Sequence, residues 1–505
     1  MSWHRLAAAL VLALSAAPLA AQTPSTGERL PVVKYVLPNG MTFLLLRKEG
    51  APTVSFVTQF RAGAVDEWTG ISGTAHLFEH MLFKGTPTLG TRDYAAEQRI
   101  FPRIDAVADS LTAEFRKGAQ ADTAVMTRLR DRLRVLEDSA RQFVVSNELD
   151  RILTENGAQN LNASTSSDGT NYFFALPVNR AELWFVLESD RVRNPVLREF
   201  YSERDVVMEE RRLRVETQPM GLLREEFLQA AFRAHPYGRP IVGVASEIQA
   251  VSRGSTQEYF RRYYGPNNAV VAIAGDIDTT QMKRWIDQYF ATIPAGEPYR
   301  PVVTQEPPQH GERRIEVEYD ANPVVMIGYH VPNAVHPDAP ALRALASILT
   351  GGRTSRLTQR LVVRDRWAAQ VFAGQQPGSR YPRLFTFTAV PIAPHTTQEI
   401  EAAIYEELDR IQREPPSDFE MQRIRNASEY GSVSRLDNSF FLALQLASSE
   451  ALWNDWTRTF RDDAALQRVT ADDVQRVART YFSRTNRTVA TLVRPPRPAP
   501  LGGTN

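Results

Sequence analysis

The segment GTAHLFEHMLFKG, residues 73–85, contains the most informative pattern in this chain. It follows a strand predicted over residues 54–61, and its own apolar spacing predicts a helix over residues 71–83. On a helix His76 and His80 are four residues apart, so their imidazoles project from one face, one turn apart. That spacing allows two nitrogen atoms to bind one tetrahedral zinc ion.

Glu79 lies on the same helical face, beside the metal position rather than on it. A carboxylate there can take a proton from zinc-bound water and later pass it to a leaving amine. The order His-x-x-Glu-His is the inverzincin pattern, the reverse of the common zinc-peptidase order. The alternative is a helix whose histidines pack without a metal, but unpaired histidines on an apolar helix would be costly, which favours zinc.

A third protein ligand is expected on the helix predicted from the segment SERDVVMEER, residues 202–211. Glu203 and Glu210 are seven residues apart, which is two helical turns, so they share a face. An arrangement in which Glu210 binds the metal and Glu203 contacts and orients one of the metal-binding histidines would suit a zinc site. Glu209 points about a quarter-turn away. Spacing alone does not choose among these three carboxylates, and a solvated surface helix is the alternative interpretation.

Composition limits the class of protein. The chain has 505 residues, of which 43% are apolar, and this length predicts more than one domain. Lys plus Arg is 59 and Asp plus Glu is 58, a balance that gives no electrostatic footprint for nucleic acid. Because there is no cysteine, disulfides, thiolate metal sites and iron–sulfur clusters are excluded. Any metal must therefore be held by nitrogen and oxygen.

Strand-like and helix-like stretches alternate, which predicts mixed α/β units. Residues 32–36 and 42–46 flank a Pro-Asn-Gly turn and predict a β-hairpin. Residues 96–150 predict an inserted amphipathic helical hairpin, for which an accessory packing role is favoured over partner binding. Residues 259–273 and 480–492 repeat the order of helix end, turn and buried strand, which indicates a duplicated unit.

These patterns predict a domain organisation. The segments are a signal peptide at 1–21, an N-terminal zinc-binding domain at 22–304, a linker at 305–312, a C-terminal domain without metal at 313–494 and a proline-rich tail at 495–505. The signal peptide predicts an exported protein, periplasmic if the source is Gram-negative, without a membrane span after its removal. An uncleaved N-terminal anchor is the alternative.

The chain resembles the pitrilysin/insulinase family of zinc peptidases over roughly residues 30–493. The motifs that carry the resemblance are HLFEHMLFKGT at 76–86, NASTS at 162–166, ERDVVMEE at 203–210 and HPYG at 235–238. The resemblance implies an α+β fold in which two homologous half-units, with antiparallel-rich sheets flanked by helices, enclose a cleft. The helical hairpin is then an insertion in the first half.

The resemblance also implies residue roles. His76, His80 and Glu210 would bind one zinc ion per chain, with Glu79 as general base and Glu203 as the carboxylate that orients a ligand. Asn162 and Ala163 would lie on an edge strand that pairs with the substrate backbone, a mode suited to extended peptides. For Asn162, an ordinary turn residue is the alternative.

Two departures from the family pattern are visible. The separation of 130 residues between His80 and Glu210 exceeds the usual one by roughly the length of the helical insertion. Family members that act alone carry an Arg and a Tyr in the second half, where this chain has Val363 and Ala369. Relatives of this size are often two-chain enzymes, so the resemblance implies a second homologous subunit that supplies the pair.

The sequence therefore predicts an exported zinc metalloendopeptidase that cleaves oligopeptides or unfolded segments. Zinc-bound water, activated by Glu79, would attack a peptide carbonyl polarised by the metal. The alternatives are a non-catalytic or partner-dependent assembly subunit of the same fold, and a processing factor dedicated to one partner protein.

Overall fold

The computed structural model describes residues 30–50 and 52–495. The predicted signal peptide and the tail beyond Pro495 lie outside the described residues. Across the described ranges, no helix has both the length and the apolar character that crossing a membrane requires.

The first half is built on a six-stranded mixed sheet with the order β1-β2-β6-β3-β5-β4. Its strands are β1 (Val32–Val36), β2 (Thr42–Arg47), β3 (Thr53–Phe60), β4 (Gln159–Thr165), β5 (Thr170–Pro177) and β6 (Ala269–Gly275). The predicted hairpin of β1 and β2 is confirmed, because these strands pair antiparallel from Val32–Leu46 to Val36–Thr42. Strand β4 lies at one edge of the sheet and pairs only with β5 among the described strands.

Eleven helices accompany this sheet in the described part of the first half. They are α1 (Thr74–Met81), α2 (Tyr94–Gln98), α3 (Phe101–Phe115), α4 (Thr123–Arg141), α5 (Glu148–Glu155), α6 (Ala181–Arg193), α7 (Phe200–Arg211), α8 (Pro219–Ala231), α9 (Ala245–Ala250), α10 (Arg253–Tyr263) and α11 (Thr279–Phe290). Helices α3 and α4 pack on each other as the predicted helical hairpin. Their apolar faces, including Ile104 and Leu133, join the main core of the first half.

Helix α1 is shorter than predicted, and its start has a definite physical cause. Gly73 has a φ of +87°, a left-handed conformation that ends the helix on its N-terminal side. A Cβ atom on Gly73 would lie 2.7 Å from the carbonyl oxygen of Val242, so only glycine fits. The buried carboxylate of Glu67 accepts hydrogen bonds from the backbone N–H groups of Gly73, at 3.0 Å, and Ala75, at 2.8 Å. These contacts fix the first turn of the helix.

The second half repeats the arrangement in a five-stranded sheet with the order β7-β11-β8-β10-β9. The strands are β7 (Arg313–Glu318), β8 (Val324–Val331), β9 (Ala368–Gln376), β10 (Arg383–Pro391) and β11 (Arg487–Val493). The helices are α12 (Ala339–Thr350), α13 (Thr397–Arg413), α14 (Asp418–Asp437), α15 (Ser439–Trp453), α16 (Arg458–Gln467) and α17 (Ala471–Tyr481).

The two sheets have the same internal topology. Strand β6 pairs parallel with β2 and antiparallel with β3, and β11 pairs parallel with β7 and antiparallel with β8. Each of these central strands follows a helix and a short 3-10 turn. The predicted duplicated unit is thus confirmed, and edge strand β4 of the first half corresponds to edge strand β9 of the second.

Each half also supplies a helix that covers the sheet of the other. Helix α15 packs on β3 and β6, where Leu442 and Leu446 are buried against first-half residues such as Val270. In return, α8 packs on β7 and β11 of the second sheet. Gly328 permits this approach, because a Cβ atom there would lie 2.5 Å from the ring of Phe227. The predicted linker lies within residues 291–312, which contain no helix or strand.

Polar contacts reinforce the junction at the turn between β4 and β5. The buried carboxylate of Asp168 accepts hydrogen bonds from the hydroxyl of Tyr237, at 2.6 Å, and from the backbone N–H of Ser379 in the second half, at 2.5 Å. The second half thereby holds the turn that leads out of edge strand β4.

We expect Leu446→Ala to lower the free energy of unfolding by about 2–5 kcal/mol, because it removes a fully buried side chain from the contact between the halves. The measurement is the urea midpoint of the first unfolding transition. Val433→Ala, at a position that is 56% exposed on the neighbouring helix α14, is the matched control and should change little. A loss below about 1 kcal/mol for Leu446→Ala would contradict the shared core.

Candidate metal centre

The candidate metal centre forms where α1 lies against both α7 and β4. Helix α1 carries His76, Glu79 and His80, and α7 carries Glu203 and Glu210. The two helices turn these side chains toward one another. Among the described residues, His76, His80 and Glu210 form a group in which one ligand atom from each lies within 4.8 Å of the others.

The distances in this group fit a tetrahedral zinc ion. The Nε2 atom of His76 lies 3.5 Å from Oε1 of Glu210, and Nε2 of His80 lies 3.4 Å from Oε2 of the same residue. Zinc–ligand bonds of about 2.0–2.1 Å at tetrahedral angles place neighbouring ligand atoms about 3.3 Å apart. Two imidazoles and one carboxylate also form a donor set found in catalytic zinc sites, which keep the fourth position open.

The geometry distinguishes the three carboxylates among which helical spacing does not choose a metal ligand. Glu210 faces both imidazoles, whereas Glu203 lies behind His80, with Oε1 2.8 Å from Nδ1 of that residue. Glu209 is exposed and pairs with Arg212 instead. Contact with Glu203 fixes which ring nitrogen of His80 carries a proton and leaves Nε2 directed at the group.

The two histidines have opposite electrostatic surroundings. Burial lowers the pKa of His76 to about 4, so its imidazole is neutral at pH 7. Burial also acts to lower the pKa of His80, but hydrogen bonds with Glu203 and Glu210 outweigh it and raise the pKa to about 9. The buried Nδ1 atom of His76 has no hydrogen-bond partner among the described residues, so only His80 has an orienting carboxylate.

Glu79 lies beside this group and contacts the edge strand. The hydroxyl of Thr165, the last residue of β4, donates a hydrogen bond of 2.5 Å to Oε2 of Glu79. Burial raises the pKa of Glu79, while the bond from Thr165 acts to lower it. Among the described residues no hydrogen bond reaches Oε1 of Glu79, so this oxygen is available to exchange a proton with a reacting group.

Asn162 and Ala163 lie on β4, which the structure places at the sheet edge nearest α1. The backbone N–H of Ala163 donates a hydrogen bond of 2.8 Å to the side-chain oxygen of Asn162. The strand bulges just before these residues, with Asn160 in the left-handed region at a φ of +56°. Asn162, Glu79 and His80 also line a cavity of about 320 Å³ beside the site.

Three side chains at the site were given no role by the sequence. They are Lys84, whose ammonium group lies 2.6 Å from Oε2 of Glu203; Thr165; and Arg214, whose guanidinium lies 2.7 Å from Oε1 of Glu210. The Arg214 contact has a sequence signal, because it follows Glu210 by one helical turn. The other two contacts join elements far apart in the chain, so local spacing gives no signal for them, although Lys84 and Thr165 lie within the motifs at 76–86 and 162–166.

Val363 and Ala369, which replace the Arg and Tyr of single-chain relatives, lie in the second half. Val363 belongs to a π-helical segment, Thr358–Arg364, and Ala369 is exposed on edge strand β9. Neither side chain can donate a hydrogen bond to a substrate carbonyl.

Family comparisons match both halves of the chain. The family described as Insulinase (Peptidase family M16) matches residues 42–100 and 142–244, and the domain described as Peptidase M16 inactive domain matches residues 250–428. The first match contains the candidate metal centre. The gap between its two parts, residues 101–141, coincides with the α3–α4 hairpin.

Individual proteins agree with these matches. Zinc protease PqqE of Helicobacter pylori is 26% identical over 393 residues, which are 75% of this chain and 86% of that protein. A crystal structure of a protease from Helicobacter pylori has a TM-score of 0.77 and 24% identity, and the match covers 92% of this chain and 100% of that one. The periplasmic protease PqqL of Escherichia coli has a TM-score of 0.68 and 17% identity; the match covers 94% of this chain and 48% of PqqL.

We expect the purified chain to bind about one zinc ion, and His76→Ala or Glu210→Ala to weaken binding by more than about 100-fold, because each removes a ligand atom. The measurement is zinc titration in competition with a chromophoric chelator. Glu209→Ala is the matched control, since it removes the neighbouring carboxylate and should leave the affinity unchanged. Equal losses in the Glu209 and Glu210 variants would contradict the assignment.

Proposed function

We propose that this chain, which belongs to the M16 (insulinase/pitrilysin-like) family of peptidase domains, is a zinc-dependent endopeptidase. Its substrates are oligopeptides or unfolded segments of polypeptides. The observation that carries the proposal is the convergence of His76, His80 and Glu210, with the carboxylate of Glu79 beside them. The relatives named as zinc proteases support the same reaction class.

The donor set fits zinc, and His76, His80 and Glu210 would hold it. When bound, the ion supplies Lewis-acid polarisation of the reacting carbonyl group and acidifies water. The chain's own residues then handle the protons. Glu79 takes a proton from the attacking water through the oxygen that Thr165 leaves free, and it returns this proton to the amine that leaves.

Edge strand β4 is the element on which we place the peptide. An extended chain can add to its free edge through backbone hydrogen bonds, which accept many sequences. Asn162 and Ala163 would face the residues of the substrate nearest the scissile bond, because Thr165 at the end of the same strand contacts Glu79. Folded proteins present few free backbone groups for this pairing, so flexible chains are favoured.

A partner-dependent form of this activity is the second candidate. Val363 and Ala369 cannot supply the contacts to the substrate carbonyl that single-chain relatives make, and the second half matches a domain described as inactive. PqqL, in which this chain matches only 48% of the length, has room for a further unit. We propose that a second homologous subunit supplies the missing Arg and Tyr, and that the signal predicted at residues 1–21 exports the chain to the periplasm.

We expect the chain to cleave an unstructured peptide of about twenty residues, and Glu79→Gln to lower kcat at least about 100-fold while zinc remains bound. The proton acceptor is lost in this variant, but no metal ligand changes. Chelation of zinc should abolish cleavage and its return should restore it.

The outcomes of this assay distinguish the candidate functions. Cleavage that survives both Glu79→Gln and chelation would contradict the proposal. Zinc binding without cleavage by the isolated chain, followed by activity when a co-purified homologous chain is added, would establish the partner-dependent form. Absence of both zinc and cleavage would favour a non-catalytic subunit.

We expect Thr165→Val to lower kcat about tenfold with little change in KM, because one hydrogen bond to a carboxylate is worth about 1.5 kcal/mol. Steady-state kinetics with the same peptide measure the effect. Thr165→Ser keeps the hydroxyl and is the matched control. If the valine variant raised KM and left kcat unchanged, Thr165 would contact substrate rather than position Glu79.

A further inference from the structure

A chain of charged side chains leads from His80 away from the metal centre. Oε1 of Glu203 lies 2.8 Å from Nδ1 of His80, and its other oxygen lies 2.6 Å from Nζ of Lys84. Both oxygens of the Glu203 carboxylate are therefore engaged, and its orientation is set from both sides.

The series of charged side chains continues from Lys84 to the helical hairpin. Glu199, at the start of α7, lies 3.6 Å from Nζ of Lys84 through one oxygen and 3.7 Å from Nε of Arg141 through the other. Arg141 is the last residue of α4. The Lys84 and Glu199 side chains are only 24% and 20% exposed, so these charges are partly shielded from water and attract one another more strongly than surface pairs.

The backbone of Glu199 is held in an unfavourable conformation. Its φ of +55° is in the left-handed region, which is unfavourable for a residue with a side chain. The backbone carbonyl of Glu199 also accepts the N–H of Glu203, so the two carboxylates are held in fixed relation across the first turn of α7.

A second contact joins the same elements. The hydroxyl of Ser202 donates a hydrogen bond of 3.1 Å to Glu137 of α4, and the guanidinium of Arg141 donates one of 3.4 Å to that hydroxyl. The C-terminal end of α4 is thus anchored on α7, the helix that also carries Glu203 and Glu210. Residues 101–141 are the segment that the insulinase family match leaves out.

We propose that Lys84 is a positioning residue for the metal centre, and that Glu199 and Arg141 connect it to the inserted hairpin. The inference rests on the proposed zinc site. Lys84 holds Glu203 so that Glu203 accepts the Nδ1 proton of His80, which keeps Nε2 of His80 directed at the metal. Groups that orient a metal-binding histidine in this way affect metal affinity by about 10- to 100-fold.

Zinc affinity, measured by competition with a chromophoric chelator, tests the first link. We expect Lys84→Met to weaken zinc binding about 10- to 100-fold and to shift the visible spectrum of the cobalt-substituted protein, because methionine keeps the length of the side chain but not the charge. Lys84→Arg should restore most of the affinity. An unchanged affinity and spectrum in Lys84→Met would overturn the proposal.

Double variants test the contacts of Glu199 and Arg141 that connect Lys84 to the hairpin. Glu199→Gln and Arg141→Met should each weaken zinc binding about two- to fivefold, and neither should have a further effect in the Lys84→Met background. Arg134→Met is the matched control on α4, because among the described residues the ion pair of Arg134 is with Asp131 at the surface, and its loss should not affect zinc. Losses that add fully in the double variants would show independent roles and overturn the connection to the hairpin.

One further readout separates loss of folding from loss of zinc binding. The thermal midpoint of each metal-free variant reports whether it is folded. If Lys84→Met does not fold, Glu199→Gln tests the connection between Lys84 and the hairpin, because it leaves the Lys84–Glu203 contact intact. Failure of the unmodified chain to bind zinc would remove the proposed function itself, whereas tight binding by both the unmodified chain and Lys84→Met would remove only this inference.

Discussion

The position of helix α1 is the constraint on which the site depends. A separation of four residues gives two imidazoles a common direction, but it does not say what they face. The buried Glu67 carboxylate fixes the first turn of α1, and the glycine at position 73 lets the preceding chain pass close to Val242. With α1 held there, α7 on one side supplies Glu210, and β4 on the other supplies the hydroxyl that contacts Glu79.

Much of the architecture could be predicted from the sequence because its signals are local. The Pro-Asn-Gly turn predicted the pairing of β1 with β2, and the repeated order of helix, turn and strand predicted the two related sheets. The choice of Glu210 over Glu203 and Glu209 required the distance between α1 and α7, which spacing within one helix cannot give. The contacts of Lys84 and Thr165 were missed because each joins segments brought together only by folding.

The duplication has produced two halves of one topology whose edge strands have different surroundings. Strand β4 contacts a helix with histidines and a carboxylate, whereas its counterpart β9 presents the exposed Ala369. The second half also contacts the turn that follows β4, where the backbone N–H of Ser379 donates a hydrogen bond to the carboxylate of Asp168. Sequence patterns did not predict that α8 and α15 would each cover the sheet of the other half, because this contact joins segments that only the folded chain brings together.

Because each half covers the sheet of the other, the covalent connection is not the only link that holds the two described halves together. Residues 301–312 run largely along the surface, whereas α8 and α15 bury their apolar faces on the opposite sheets. A protease cut in this segment would leave two fragments that remain associated, since separation would expose both sheets to water. Conversely, either half expressed alone would carry one uncovered sheet face and one helix without its partner surface, and such exposed apolar surface promotes aggregation.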